Sequence, residues 1–208
     1  MSKKEEIAKF HRKNILEAAT ALFRERGIEK TTMDDIAKKA EYSKATIYVY
    51  YRNKDELVNA MTLQSMREYK EMIEQSVKEN TNILSIYHRI CEQLDVVYRE
   101  NPIMIDLLLG KINVDMKNPD TPQVFTEIYE EGEKLNRILY EVIKRGMVEG
   151  VFRADLDVEQ TVMYLWCSIS AMVKMAYEKE EYLNLQFHLS RKEFLTKQYE
   201  LILKAILA

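Results

Sequence analysis

The interval between apolar residues constrains this chain more than any other feature. Ile83, Tyr87, Ile90, Cys91, Leu94, Val97 and Tyr98 follow one another at short steps dominated by three and four positions, the spacing that lines one face of a helix. The pattern returns at Phe125, Ile128, Leu135, Ile138, Leu139, Val142 and Ile143, and earlier at Ile15, Leu16, Ala18, Ala19, Leu22 and Phe23. With 5 Gly and 3 Pro in 208 residues, the chain lacks the turn residues that an all-β plan needs. The predicted fold class is all-α, with about nine helices and no strand.

Cap residues place the helix ends. A helix over about 10–26 is followed by Gly27. Thr32 with Asp35, Ser43, Asn53 with Glu56, Asp157 with Gln160 and Ser190 with Glu193 each supply an N-terminal cap. The cap at Asn53 opens a long helix over 54 to about 78. Asn101-Pro102 ends the helix that begins near Ile83. A mostly apolar helix is predicted from 103 to about 116, then a loop at 117–121 that contains Asn-Pro-Asp. Pro122 opens a long helix that Gly150 follows.

Several function classes are disfavoured. No run approaches the roughly 18–20 apolar residues of a membrane span. The first ten residues, MSKKEEIAKF, lack the apolar stretch of a signal peptide, so a cytoplasmic location is expected, with no membrane partner. Cys91 and Cys167 sit in apolar helical patterns and read as reduced core thiols. His11, His88 and His188 share no metal-ligand spacing with them, so neither metal nor cofactor is expected. There is no Gly-rich phosphate loop, nucleophile motif or HExxH pair. Asp34-Asp35 and Glu130-Glu131 read as helix surface, and no catalytic residue is assigned.

The net charge of −3 conceals an asymmetry. Residues 1–55 carry 13 Lys/Arg against 9 Asp/Glu, and the remainder 18 against 25. A basic head on an acidic body suggests that the head meets a polyanion. Residues 33–52 fit a helix-turn-helix: Ala37 is the small residue against which the second helix packs, Ile47 supplies the apolar contact ten positions later, and Glu41-Tyr42 makes the turn. Ser43, Lys44, Ala45 and Thr46 begin the helix that would enter the major groove, with Tyr48 and Tyr50 further along. Tyr51, four residues from Ile47, falls on the buried face.

Residues 31–57, TTMDDIAKKAEYSKATIYVYYRNKDEL, resemble the N-terminal signature of TetR-family regulators at Thr32, Ile36, Ala37, Ala40, Ser43, Lys44, Thr46, Ile47, Tyr48, Tyr51, Lys54, Glu56 and Leu57. A weaker resemblance lies at residues 145–157, RGMVEGVFRADLD. Two positions depart from the pattern: Glu41 and Ala45 stand where the family usually or often has Gly. The resemblance implies a helix-turn-helix domain over 1–53 and a helical ligand-binding and dimerisation domain over 54–208. It implies phosphate contacts from Thr32, Tyr48 and Lys54, with Lys44 and Thr46 as groove candidates. It further implies a homodimer through the last two apolar helices, an operator DNA partner and a small effector, mainly apolar or aromatic. Tyr87, His88, Cys91, Met104, Phe125, Tyr129, Met163 and Trp166 are candidate pocket residues. The expected function is a ligand-responsive regulator, a repressor in the first reading; an architectural DNA-binding protein of the same fold without an inducer is the alternative.

Overall fold

The computed structural model describes residues 2–109 and 122–208, apart from the side chains of Met104 and residues 107–109. Ten helices form among the described residues: α1 Lys3–Arg26, α2 Met33–Ala40, α3 Lys44–Tyr50, α4 Lys54–Glu79, α5 Ile83–Glu100, α6 Pro102–Leu109, α7 Gln123–Val148, α8 Val158–Glu178, α9 Glu180–Phe187 and α10 Arg191–Lys204. Only Lys179 separates α8 from α9, so an estimate of nine counts this interrupted pair once. The loop expected at 117–121, and the helix expected after 109, lie outside the described residues.

The predicted caps form. Thr32, Ser43, Asn53, Asp157 and Ser190 each accept a hydrogen bond from the backbone N–H three residues on, satisfying donors that the first turn leaves free. One helix is longer than its apolar stripe predicts. A capping box between Ser2 and Glu5 starts α1 at Lys3, and the added turns bury little, with Ile7 48% and Phe10 59% exposed. A reading based on burial periodicity starts the helix only where burial starts.

Two apolar cores result. The first gathers Ile15, Ala19 and Phe23 of α1, Ile36 and Ala37 of α2, Ile47 of α3, Tyr51, and Leu57, Val58 and Met61 of α4. The second takes Met66, Tyr69 and Ile73 from further along α4, together with the inward faces of α5, α7, α8 and α10. At about 1.5 Å per residue, α4 is long enough to belong to both. Ile103 of α6 also packs against the first core. Charged side chains tie α4 to α7: Arg67 lies 2.9 Å from Glu127 and 3.6 Å from Glu131.

The segment after α7 closes the second core. Gly150 has φ 70°, and the N–H groups of Gly150 and Val151 donate to the carbonyls of Met147 and Gly146 at 3.1 and 2.9 Å, the bond pattern of a Schellman cap. The chain then turns inward at Phe152, 1% exposed, which pairs with Leu207 in an isolated antiparallel bridge. No described helix is long and apolar enough to cross a membrane.

Candidate nucleic-acid interface and ligand cavity

Helices α2 and α3 meet through Ala37 and Ile47, 5% and 0% exposed. The turn between them is a second Schellman cap: Glu41 N–H donates to Lys38 O at 3.3 Å and Tyr42 N–H to Ala37 O at 3.0 Å. Glu41 itself is left-handed, φ 61° and ψ 34°, the conformation for which glycine is the usual occupant. Across the domain, His11 Nδ1 lies 2.6 Å from the Tyr42 hydroxyl, and Arg12 stacks over the Tyr51 ring at 5.3 Å. Tyr51 is buried and donates its hydroxyl hydrogen to the Arg12 carbonyl at 3.3 Å, so its work is structural.

The expected DNA-contacting residues divide by environment. Ser43, Lys44, Ala45 and Tyr48 are exposed on the outer face of α3, and Thr46 is half-buried. Val49, 74% exposed, continues that face four residues after Ala45 and was not singled out from the sequence; its signal was an apolar β-branched residue facing away from Ile47. Thr32 is exposed, but its hydroxyl already donates to Asp35 Oδ2 at 2.7 Å. The hydrogen bonds from Thr32 hold the Asp35 carboxyl at about 2, well below its ordinary value. Lys44 Nζ sits 2.7 Å from Asp34 Oδ1, and this partner raises its pKa. Tyr50 is half-buried with its ring 5.5 Å from His11. The Lys54 ammonium donates to the Ile28 carbonyl at 2.9 Å, so it fastens the loop after α1 in the free protein.

The body holds a cavity of about 50 Å³. Its walls are Tyr69 of α4, Tyr87, Ile90 and Leu94 of α5, Leu139, Val142 and Ile143 of α7, Val162, Leu165, Trp166 and Ile169 of α8, and Phe152. Of the expected pocket residues, Tyr87 and Trp166 line it. Cys91 is fully buried but off its wall, and burial pushes its thiol up to about 12. His88 turns outward to Glu200, 2.6 Å away. Tyr129 and Met163 are exposed and Phe125 is half-buried, none of them on the wall; the Met104 side chain lies outside the described residues. A stripe in sequence identifies a buried face without saying which neighbour it meets. Tyr69 and Phe152 were missed for that reason: one sits within a long helix, the other in a coil segment where helical periodicity has ended.

Residues 15–61 match the family model described as bacterial regulatory proteins of the tetR family. The repressor KstR2 of Rhodococcus jostii (strain RHA1) is 24% identical over 158 residues, 74% of each chain. The solved structure of the ketosteroid transcriptional regulator KstR2 of Mycobacterium tuberculosis superposes with a TM-score of 0.68 at 20% identity, covering 95% of both chains. FadR from Bacillus subtilis, solved in complex with stearoyl-CoA, gives 0.69 at 18% identity, covering 93% of this chain and 98% of its own. Residues 15–61 therefore carry the region shared by bacterial regulatory proteins of the tetR family, and the chain is similar along most of its length to KstR2 repressors in sequence and in fold.

Proposed function

We propose that this regulator is a repressor that binds a palindromic operator as a homodimer and leaves it when a small, mainly apolar effector fills the body cavity. The observation that carries the reading is the course of α4. Its first turns supply Leu57, Val58 and Met61 to the core of the DNA-binding head, and Tyr69, further along the same helix, forms part of the cavity wall. A second route runs through α6: Lys174 of α8 pairs with Asp106, and Ile103 packs on the head core.

A cavity of about 50 Å³ is well below the roughly 300–1,000 Å³ of a ligand pocket. Effector binding therefore requires the walls to part, and an effector shifts the population only by its preference for the parted state. Displacement of α4 and α6 would move the two recognition helices away from the 34–36 Å spacing, about one turn of DNA. The relatives favour effectors with a large apolar part, since one is described as a ketosteroid regulator and another was solved with stearoyl-CoA. On the DNA side, Lys44 exchanges Asp34 for phosphate, Tyr48 and Thr32 face the backbone, and Ala45 and Val49 present methyl groups suited to thymine.

The test is titration of the protein against its own upstream DNA at several salt concentrations. Tyr48→Ala is expected to weaken specific binding about tenfold or more, and Lys44→Ala to lower the salt slope by about one. Indifference to both substitutions, or no specific site upstream, overturns the reading.

A further inference from the structure

The cavity wall has an unusual polar inventory. Among the described residues, no Asp, Glu, Lys, Arg or His side chain belongs to it. Its side chains carry three polar groups: the hydroxyls of Tyr69 and Tyr87 and the Trp166 indole N–H. The Tyr87 hydroxyl is committed, donating to the Tyr199 carbonyl at 2.8 Å. Tyr69 is different. It is 2% exposed, and its hydroxyl makes no hydrogen bond among the described residues. Its ring lies 6.4 Å from that of Trp166, centroid to centroid, whose N–H also donates to no described residue. Neither group is bonded to a described residue, so both remain available to a molecule that enters the cavity.

We propose that the cavity takes an uncharged, otherwise apolar moiety with one carbonyl oxygen, of the ketone, ester or thioester kind, which accepts from Tyr69 and Trp166. The inference rests on reading this cavity as the effector site and specifies the chemistry that site selects. Both free groups act as donors: an indole N–H cannot accept, and burial raises the Tyr69 pKa above its ordinary value, so the phenol keeps its proton. A carbonyl oxygen has two lone pairs and can receive both. A carboxylate in the same place would lose water with no cation among the described wall residues to pair with it. The chemistry extends to ligands whose charged portion stays outside, because only the enclosed moiety is constrained.

Trp166 is the one tryptophan of the chain, so its fluorescence reports occupancy of the cavity. The experiment titrates the full chain, at pH 7, with three probes of one length: 2-hexanone, hexane and hexanoate. Wild type and Tyr69→Phe are compared; the latter keeps the ring and removes only the hydroxyl. In wild type, 2-hexanone binds at least tenfold more tightly than hexanoate. In Tyr69→Phe the ratio of 2-hexanone to hexane affinity falls roughly fivefold, the worth of one net hydrogen bond. The Tyr69→Phe melting temperature equals or exceeds that of wild type, since an unpartnered hydroxyl is removed. A second measurement needs no variant: the ¹³C=O stretch of bound 2-hexanone lies below its frequency in dry hexane. Equal binding of hexanoate, an unchanged ratio in Tyr69→Phe, or an unshifted carbonyl band overturns the inference while leaving the cavity as an effector site. Failure of all three probes to perturb Trp166 overturns the effector-site reading and the inference with it.

Discussion

Glu41 holds a left-handed backbone, φ 61°, at the end of α2, while the same cap at the end of α7 has Gly150 at φ 70°. The two ends make the same pair of hydrogen bonds, so the strain of a Cβ is the difference between them. Glu41→Gly is expected to raise unfolding free energy by about 0.5–1 kcal/mol, less than the full strain because glycine also frees the unfolded chain. It also removes a negative charge beside the recognition helix and should tighten DNA binding. Chemical denaturation and operator titration check the two effects; a less stable variant would mean that Glu41 makes compensating contacts. His88 offers a pH test. Nδ1 lies 2.7 Å from the Leu84 carbonyl and Nε2 2.6 Å from Glu200 Oε1, both acceptors, so the protonated ring, with a donor on each nitrogen, satisfies both contacts. Burial opposes the charge, but the Glu200 hydrogen bond and its companions outweigh it and raise the pKa above 6.5. Its stabilising contribution is thus complete below about 6.5 and lost as pH rises through the folded value. The stability difference between wild type and His88→Ala should be larger at pH 5.5 than at pH 8.5, and the reverse order would refute the ionised pair.

At the scale of elements, caps and turns were the most legible features of the sequence. Thr32, Ser43, Asn53, Asp157 and Ser190 act where they stand because a cap is a local bond between a side chain and a backbone N–H three residues away. The early start of α1 and the separate α9 were less legible, since neither is announced by a buried stripe. The junction RGMVEGVFRADLD shows what a local reading cannot supply. A Cβ added at Gly146 would lie 2.2 Å from the Phe152 ring, a long-range packing fact carried by a glycine inside a helix. Gly146→Ala is expected to destabilise by about 1–3 kcal/mol through overpacking, and to disturb Trp166 fluorescence because Phe152 and Trp166 share the cavity wall. A melting temperature within 1 °C of wild type, taken as roughly a few tenths of a kcal/mol, would contradict this packing.

The whole molecule is two cores joined by α4, with α6 as a second contact. On the outside of the body, α8 and α10 pack together and leave Met163, Tyr164 and Leu201 exposed, at 53%, 43% and 56%. Such a face suits the proposed homodimer interface. Leu201→Glu would bury a charge at that interface, so sedimentation should show a monomer and operator affinity should fall by at least tenfold, with helicity intact. A variant that remains dimeric would place the interface elsewhere. The sequence by itself determined the helical class, the caps at Thr32, Ser43, Asn53, Asp157 and Ser190 and the helix-turn-helix, because periodicity, capping and a compact motif are encoded within a few residues of one another. Only the tertiary structure decided that Tyr69 and Phe152 meet Tyr87 and Trp166 around one cavity, that His88 faces Glu200, and that Lys54 is held by Ile28. Those outcomes depend on the rotation and crossing of helices distant in sequence, and a stripe of apolar residues leaves both unspecified.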